Sequence, residues 1–80
     1  SKVEKKVETT NTEAYEFYLR AKYKYYKRKN TDDTKIVVDL LQKVLEMDKN
    51  LIIARILLGV NYIEIGDSDK AIEIYTDCIE

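Results

Sequence analysis

The sequence predicts an all-α protein, and three observations support this prediction. The 80 residues contain no proline and only two glycines, so few positions would interrupt a helix. Apolar residues recur at the three- and four-residue spacing of a helix face. Polar clusters over residues 30–33, 48–50 and 66–67 divide the chain into four helical segments. A chain of this length forms one domain at most, with a small core.

The first helix is expected over residues 12–29, after a polar lead-in or linker over residues 1–11. Thr10 followed by Glu13 has the spacing of a capping box, in which the hydroxyl and the carboxylate each satisfy a free backbone N–H group. The lead-in has only Val3 and Val7 as apolar residues, so it can bury little surface. The first helix is therefore predicted to begin close to residue 12.

The second helix is expected to begin at Asp32 or Asp33, because a carboxylate there accepts the free N–H groups of a first turn and favours the positive end of the helix dipole. Six apolar residues at helical spacing give it an apolar face. They are Ile36, Val37, Leu40, Leu41, Val44 and Leu45. The β-branched residues among them slightly lower the helix propensity, so packing must stabilise this helix.

The third helix, over residues 51–65, is apolar nearly all round, since only Arg55, Asn61 and Glu64 interrupt it. A helix of this kind is normally buried on most sides. Gly66 fits the left-handed position that ends a helix, and Asp67 can cap a fourth helix over residues 68–80. The residues predicted to point inward from the fourth helix are Ala71, Ile72, Tyr75, Cys78 and Ile79.

The second half of the chain places small residues where two helices would touch and aromatic residues where a gap must be filled. The residues that carry this pattern are Leu58, Gly59, Tyr62, Ala71, Tyr75 and Cys78. The pattern resembles the tetratricopeptide repeat, a helical hairpin of about 34 residues. Two residues depart from that family's pattern: Arg55 replaces an aromatic residue, and Lys49 replaces the proline between repeats.

An earlier and less regular copy of the same pattern precedes it, with Ala21 as the small residue of its first helix. Val37, Leu41 and Val44 occupy the matching positions of its second helix. The resemblance therefore implies two antiparallel helix hairpins, over about residues 12–47 and 51–80, stacked as a short solenoid. It also implies a non-catalytic protein-interaction scaffold.

In that family one side of each first helix lines a concave groove that binds a peptide or a partner protein. The matching residues here are Tyr15, Tyr18, Lys22, Tyr25, Tyr26, Ile53, Ile56, Val60, Ile63 and Glu64. Apolar groups with a few cations suit a peptide that carries an acidic element. The isoleucine-rich part of this set could instead be covered by a second copy of the chain, giving a homodimer.

The run Asn11 to Arg20 is similar to the entry of the repeat region in multidomain bacterial signalling proteins, where adenylate-cyclase-like or TolB-like domains precede the repeats. This similarity implies an alternative role as a regulatory connector of a signalling enzyme. It also implies that the chain is a piece of a larger bacterial protein.

Charge suggests a further alternative, a helical module that binds nucleic acid. Residues 1–30 hold nine basic and four acidic groups, giving +5, whereas residues 31–80 hold five and eleven, giving −6. Six cations between Arg20 and Lys29 lie among tyrosines, and cations with stacking faces are what a single strand requires. The same residues also suit a helix C-terminus and a packed core, so nucleic acid is the less favoured partner.

Composition argues against an enzyme, a cofactor or a metal site. The chain has no histidine and a single cysteine, Cys78, so a Cys/His zinc site and an internal disulfide cannot be built. Cys78 has no imidazole to activate it, and no glycine-rich phosphate loop is present. The absence of an apolar run of about 18 residues and of a signal-peptide pattern predicts a cytoplasmic protein that does not enter a membrane.

Overall fold

The computed structural model describes residues 11–79, and these residues form four helices with no strand among them. The helices are α1 (Thr12–Lys27), α2 (Thr31–Met47), α3 (Ile52–Glu64) and α4 (Ser68–Ile79). The all-α prediction is thus confirmed for this part of the chain. The predicted lead-in before residue 11 and the last residue lie outside the described residues.

Helix α1 begins at a different cap from the one predicted. The side chain of Asn11 accepts the backbone N–H of Ala14 at 3.0 Å, whereas Thr10 lies outside the described residues. The Asn11 amide also donates to the carbonyl of Met47 at 3.3 Å. This bond ties the start of α1 to the end of α2, so one asparagine both caps a helix and closes a hairpin.

Helix α1 ends at Lys27, two residues before the predicted end, because the backbone at Arg28 is extended. The Arg28 guanidinium donates to the carbonyl of Tyr25 at 2.7 Å. A carbonyl in the last turn of a helix has no partner within the helix, and here the Arg28 side chain supplies one.

Helix α2 is capped by Asn30, so the prediction of Asp32 or Asp33 as the cap is wrong. The Asn30 side chain accepts the N–H of Asp33 at 2.9 Å, and the Asp33 carboxylate accepts the N–H of Lys29 at 2.8 Å. The two side chains satisfy backbone donors reciprocally, as in a capping box. Asp32 and Asp33 lie instead in the first turn, where they favour the helix dipole.

The reciprocal cap predicts an acid-dependent contribution of Asp33 to stability. The Lys29 N–H lowers the pKa of Asp33 below its usual 3.8, with a further lowering by Lys24. A lowered pKa stabilises the fold above pH 3.8, and this contribution is lost as the pH falls through the lowered value. Asp33→Asn should therefore lower the Tm at neutral pH, and the difference should vanish in strong acid.

Thermal unfolding of the two proteins followed by circular dichroism between neutral pH and strong acid would measure this difference. Asp32→Asn is the matched control, because Asp32 is the exposed neighbour in the same turn. An equal effect of the two substitutions, or a difference that persists in strong acid, would contradict the role given to Asp33.

The core is a single cluster to which all four helices contribute, together with Leu51 from the turn before α3. Each helix packs against the one before it in the chain, an order of contacts compatible with two stacked antiparallel hairpins. The residues with 0 % exposure are Ala14, Ala21, Val37, Leu41, Val44, Leu51, Ala54 and Asn61. The short side of the molecule, 19 Å, corresponds to two helix diameters of about 10 Å.

The contact between α3 and α4 centres on Gly59, as the spacing of small and aromatic residues predicts. A Cβ atom at Gly59 would lie 2.5 Å from Cε1 of Tyr75, so only glycine lets the ring approach this closely. Gly66 has a φ of 88°, which confirms the predicted left-handed turn. Asp67 then accepts the N–H of Lys70 at 3.1 Å and caps α4 as predicted.

Ile72, which was predicted to point inward, is exposed, and so is Ile36 of the apolar face of α2. Ile72 of α4 is 62 % exposed and Ile36 of α2 is 45 % exposed. Ala71, next to Ile72, is buried, and Tyr75 and Cys78 are partly buried. The side chain of Ile79 lies outside the described residues. The inward face of α4 is therefore narrower than its apolar pattern indicates.

Asn61 is the polar residue that lies deepest in the described part of the chain, with 0 % exposure. Its amide donates to the carbonyl of Leu57 at 2.8 Å, but its Oδ1 atom has no hydrogen-bond partner among the described residues. A buried acceptor without a partner costs about 1 to 3 kcal/mol. Asn61 is thus an unfavourable residue at a fully packed position.

We therefore expect Asn61→Ala to raise the free energy of unfolding by about 1 kcal/mol, because it removes this acceptor and alanine favours helix. Val44→Ala, at another position with 0 % exposure, should lower it, since that change only removes packing. Urea unfolding would measure both values. A loss of stability in Asn61→Ala equal to that in Val44→Ala would show that the Oδ1 atom is satisfied in solution.

Candidate binding groove

The part of the candidate groove on α1 is a row of tyrosines with one lysine. The rings of Tyr15 and Tyr18 are stacked with their centroids 6.0 Å apart, and those of Tyr25 and Tyr26 lie 5.7 Å apart at 56°. Lys22 lies between the two pairs, with its Nζ atom 5.9 Å from the centroid of Tyr26. Residues 15, 18, 22, 25 and 26 thus share one side of α1, as their helical spacing predicts.

Tyr18 contributes to this surface differently from its neighbours, because it belongs to the hydrophobic core. Its side chain is 9 % exposed, and burial raises the pKa of its hydroxyl. Tyr26, in contrast, is 68 % exposed. Tyr18 therefore forms the base of the α1 surface, and Tyr15, Lys22 and Tyr26 offer the accessible groups.

The part of the candidate groove on α3 is an isoleucine stripe, formed by Ile53, Ile56, Val60 and Ile63. Ile56 is 47 % exposed and Ile63 is 52 % exposed, while Ile53 and Val60 are partly buried. The opposite side of α3 carries Ala54 and Leu58, which are buried in the core. The stripe is accordingly the apolar face of α3 that the other described helices leave uncovered.

The two surfaces meet at Glu64, the last residue of α3. Its carboxylate accepts bonds from Nε and Nη2 of Arg28 at 2.8 and 2.7 Å, a bidentate ion pair. The Tyr25 hydroxyl donates to the same carboxylate at 3.3 Å, and the Arg28 guanidinium lies 3.9 Å from the centre of the Tyr25 ring. Burial raises the pKa of Tyr25, and the charge of Glu64 raises it further.

This junction joins the C-terminal ends of α1 and α3, and it assigns Glu64 a role that the sequence does not reveal. The sequence predicts Glu64 as a groove residue, and the structure engages its carboxylate with Arg28 and Tyr25. Arg28 lies 36 positions away from Glu64 in the sequence, so no local spacing relates the two. Their contact depends on the ends of α1 and α3 lying side by side in the fold.

The cations of α1 divide into those with an acidic partner and those without one. Lys24 pairs with Asp33 at 3.3 Å. Arg20, Lys22 and Lys27 have no ion-pair partner among residues 11–78, and each lies over an aromatic ring instead. The distances to the ring centroids are 4.9 Å from Arg20 to Phe17, 5.9 Å from Lys22 to Tyr26 and 5.1 Å from Lys27 to Tyr23.

Two depressions in the described surface are lined by residues outside the isoleucine stripe. An open cleft of about 540 Å³ lies at the turn between α1 and α2, and a smaller one of about 190 Å³ lies where α2, α3 and α4 meet. No group of acidic residues and Cys78 within the described chain is arranged to hold a metal ion.

Comparison of the chain with models of protein families, with curated proteins and with solved structures gives no match. Among residues 11–79, no helix has the length and apolar character needed to cross a membrane.

Proposed function

We propose that this chain is a tetratricopeptide-like, non-catalytic module that binds a peptide segment of another protein along α1 and α3. The observation that carries the proposal is the isoleucine stripe of α3, which ends at the same carboxylate as the tyrosine row of α1. Monomeric proteins rarely leave a contiguous apolar face uncovered unless it is used for binding.

The close contact of Gly59 with Tyr75 supports the tetratricopeptide-like assignment, as does the burial of Ala21, Val37 and Ala71 at the matching small positions. The two departures from the family pattern also compensate one another. Arg55 donates from Nε to the carbonyl of Lys49 at 2.8 Å. This bond restrains the turn between α2 and α3, where the family pattern has a proline to stiffen it.

The charges of the groove favour a partner segment with apolar residues followed or preceded by an acidic one. Glu64 is neutralised by Arg28, so it does not repel an anion. Lys22 has no described acidic partner and is only partly buried, so its ammonium group is available to a carboxylate. Such a segment would place apolar side chains on Ile56 and Ile63 and its carboxylate near Lys22.

The nucleic-acid alternative receives less support from the same residues. Two of the six cations between Arg20 and Lys29 are already neutralised within the chain, since Lys24 pairs with Asp33 and Arg28 pairs with Glu64. The role of a regulatory connector stays a prediction. The residues from which it was predicted, Asn11 to Arg20, form the cap and the first turns of α1.

Selection from a random peptide library displayed on phage would test the proposal. The wild-type chain is expected to enrich segments that combine two or more apolar residues with an acidic residue. Ile72→Lys is a suitable control bait, because Ile72 is exposed, as Ile56 and Ile63 are, but lies on α4. It should enrich the same segments. Failure to enrich any segment, or enrichment of basic segments, would overturn the proposal.

A further inference from the structure

Two apolar groups lie exposed at opposite ends of the helix order, away from the candidate groove. On α1, Leu19 is 43 % exposed and Tyr23 is 64 % exposed, and their i, i+4 spacing places them on one side of the helix. On α4, Ile72 is 62 % exposed. We call these the α1 end face (Leu19 and Tyr23) and the α4 end face (Ile72).

The equivalent positions in the middle of the molecule are buried. Alignment of Ala21 with Gly59 makes Tyr23 equivalent to Asn61, and alignment of Val37 with Ala71 makes Ile72 equivalent to Val38. Val38 is 7 % exposed and Asn61 is 0 % exposed, and they lie on α2 and α3, which pack against one another. Both positions are thus buried in the middle of the molecule, where a neighbouring hairpin is present.

The charges of the two end helices are complementary. Helix α1 carries four basic residues and two acidic ones, a net charge of +2, and α4 carries three acidic residues and one basic one, a net charge of −2. Lys27 and Arg20 of α1 have no ion-pair partner among the described residues. Asp69 and Glu73 of α4 are exposed beside Ile72.

We propose that the α4 end face of one copy of this chain binds the α1 end face of a second copy, head to tail. Ile72 would pack on Leu19 and Tyr23, as Val38 is packed within the chain, and Asp69 and Glu73 would lie near Arg20 and Lys27. Opposite charges steer the two faces together and set their register. The interface leaves the isoleucine stripe of α3 free, so it is independent of peptide binding.

Such an interface is heterologous, and each added copy presents the same free face as the last. Association is therefore open-ended and passes beyond the dimer as concentration rises. A two-fold pairing through the isoleucine stripe, in contrast, stops at the dimer. Salt weakens the head-to-tail contact because the charged groups at its rim are solvated.

Sedimentation equilibrium of the whole chain from about 10 µM to about 1 mM, a range that spans weak association, would test this proposal. The average mass of the wild type should rise past that of a dimer at low salt and fall back in high salt. Tyr23→Asp blocks one end face and Ile72→Asp blocks the other, so each variant alone should be a monomer. Their mixture should give a dimer of one copy of each, since one intact face of each kind remains.

Circular dichroism would establish that both variants are folded, which their exposure favours. If either variant were unfolded, Lys27→Glu and Glu73→Lys would replace the two aspartate variants. Each of these charge reversals alone should weaken association, and the double variant should regain it. Ile56→Lys is the control and should associate as the wild type does. A wild type that stays monomeric to about 1 mM, or a mixture that stays monomeric, would overturn the proposal. So would a dimer that persists in both single variants, because that dimer would use another face.

Discussion

Gly59→Leu should lower the free energy of unfolding by about 1 to 3 kcal/mol, because a side chain at this position must displace Tyr75. A Cβ atom alone would lie 2.5 Å from Cε1 and 2.7 Å from Cζ of that ring, distances that packed carbon atoms do not adopt. The remaining atoms of leucine would push α4 away from α3. Urea unfolding at neutral pH measures the change directly.

Tyr75→Ala provides the second half of a double-mutant cycle. On its own it should destabilise the fold by removing packing, but combined with Gly59→Leu it should cost less than the sum of the two. Val60→Leu is the matched control, since Val60 is the next residue and is partly exposed. If Gly59→Leu were as stable as Val60→Leu, or if the two changes were additive, the contact between Gly59 and Tyr75 would not be the one that joins α3 to α4.

The helix breaks could be predicted because local chemistry determines them. Gly66 must adopt a positive φ and Asp67 must cap, and both do so. The cap of α2 could not be chosen in the same way, because Asn30, Asp32 and Asp33 all have suitable side chains. The choice of Asn30 depends on where α1 ends, and that depends on Arg28, which bonds back to Tyr25 and forward in the chain to Glu64.

The burial of a side chain could be predicted only where the sequence showed which helix would cover it. An apolar pattern identifies which residues of a helix share a face, but it does not tell how wide the covering surface is. Val38 and Ile72 each follow a buried residue, Val37 and Ala71, yet their exposures are 7 % and 62 %. The difference arises because α2 has α1 and α3 packed against it, whereas α4 packs mainly against α3 among the described residues.

The candidate groove likewise has one part that could be predicted from the sequence and one part that could not. The isoleucine stripe follows from periodicity alone, since α3 has more apolar residues than a single core face can use. The junction at Glu64 does not follow from the sequence, because it joins residues that are 36 and 39 positions apart. Tyr18 was predicted to line the groove because of its position on α1, but its side chain is buried. One turn of α1 therefore lies closer to the core than the helical spacing suggests.

Ile56→Lys combined with Ile63→Lys should weaken the binding of any peptide enriched by the wild-type chain by about 100-fold. Full burial of an isoleucine is worth roughly 1.5 to 3 kcal/mol, and about half of each side chain is already covered in the free protein. The remaining burial therefore supplies roughly 1 kcal/mol for each residue, and burying an ammonium group in its place adds a further cost. The same double variant should remove any two-fold dimer that forms through the stripe.

Fluorescence polarisation with a labelled peptide at micromolar protein would measure this loss of affinity, and Ile72→Lys is its matched control. Ile72 is 62 % exposed, against 47 % for Ile56 and 52 % for Ile63, so the three substitutions place lysines at similarly accessible sites. All three residues point away from the core, and the variants should unfold near the wild-type temperature. Unchanged affinity in the double variant would mean that the peptide binds elsewhere. Equal losses in the double variant and in Ile72→Lys would mean that added positive charge, and not the lost apolar surface, weakens binding.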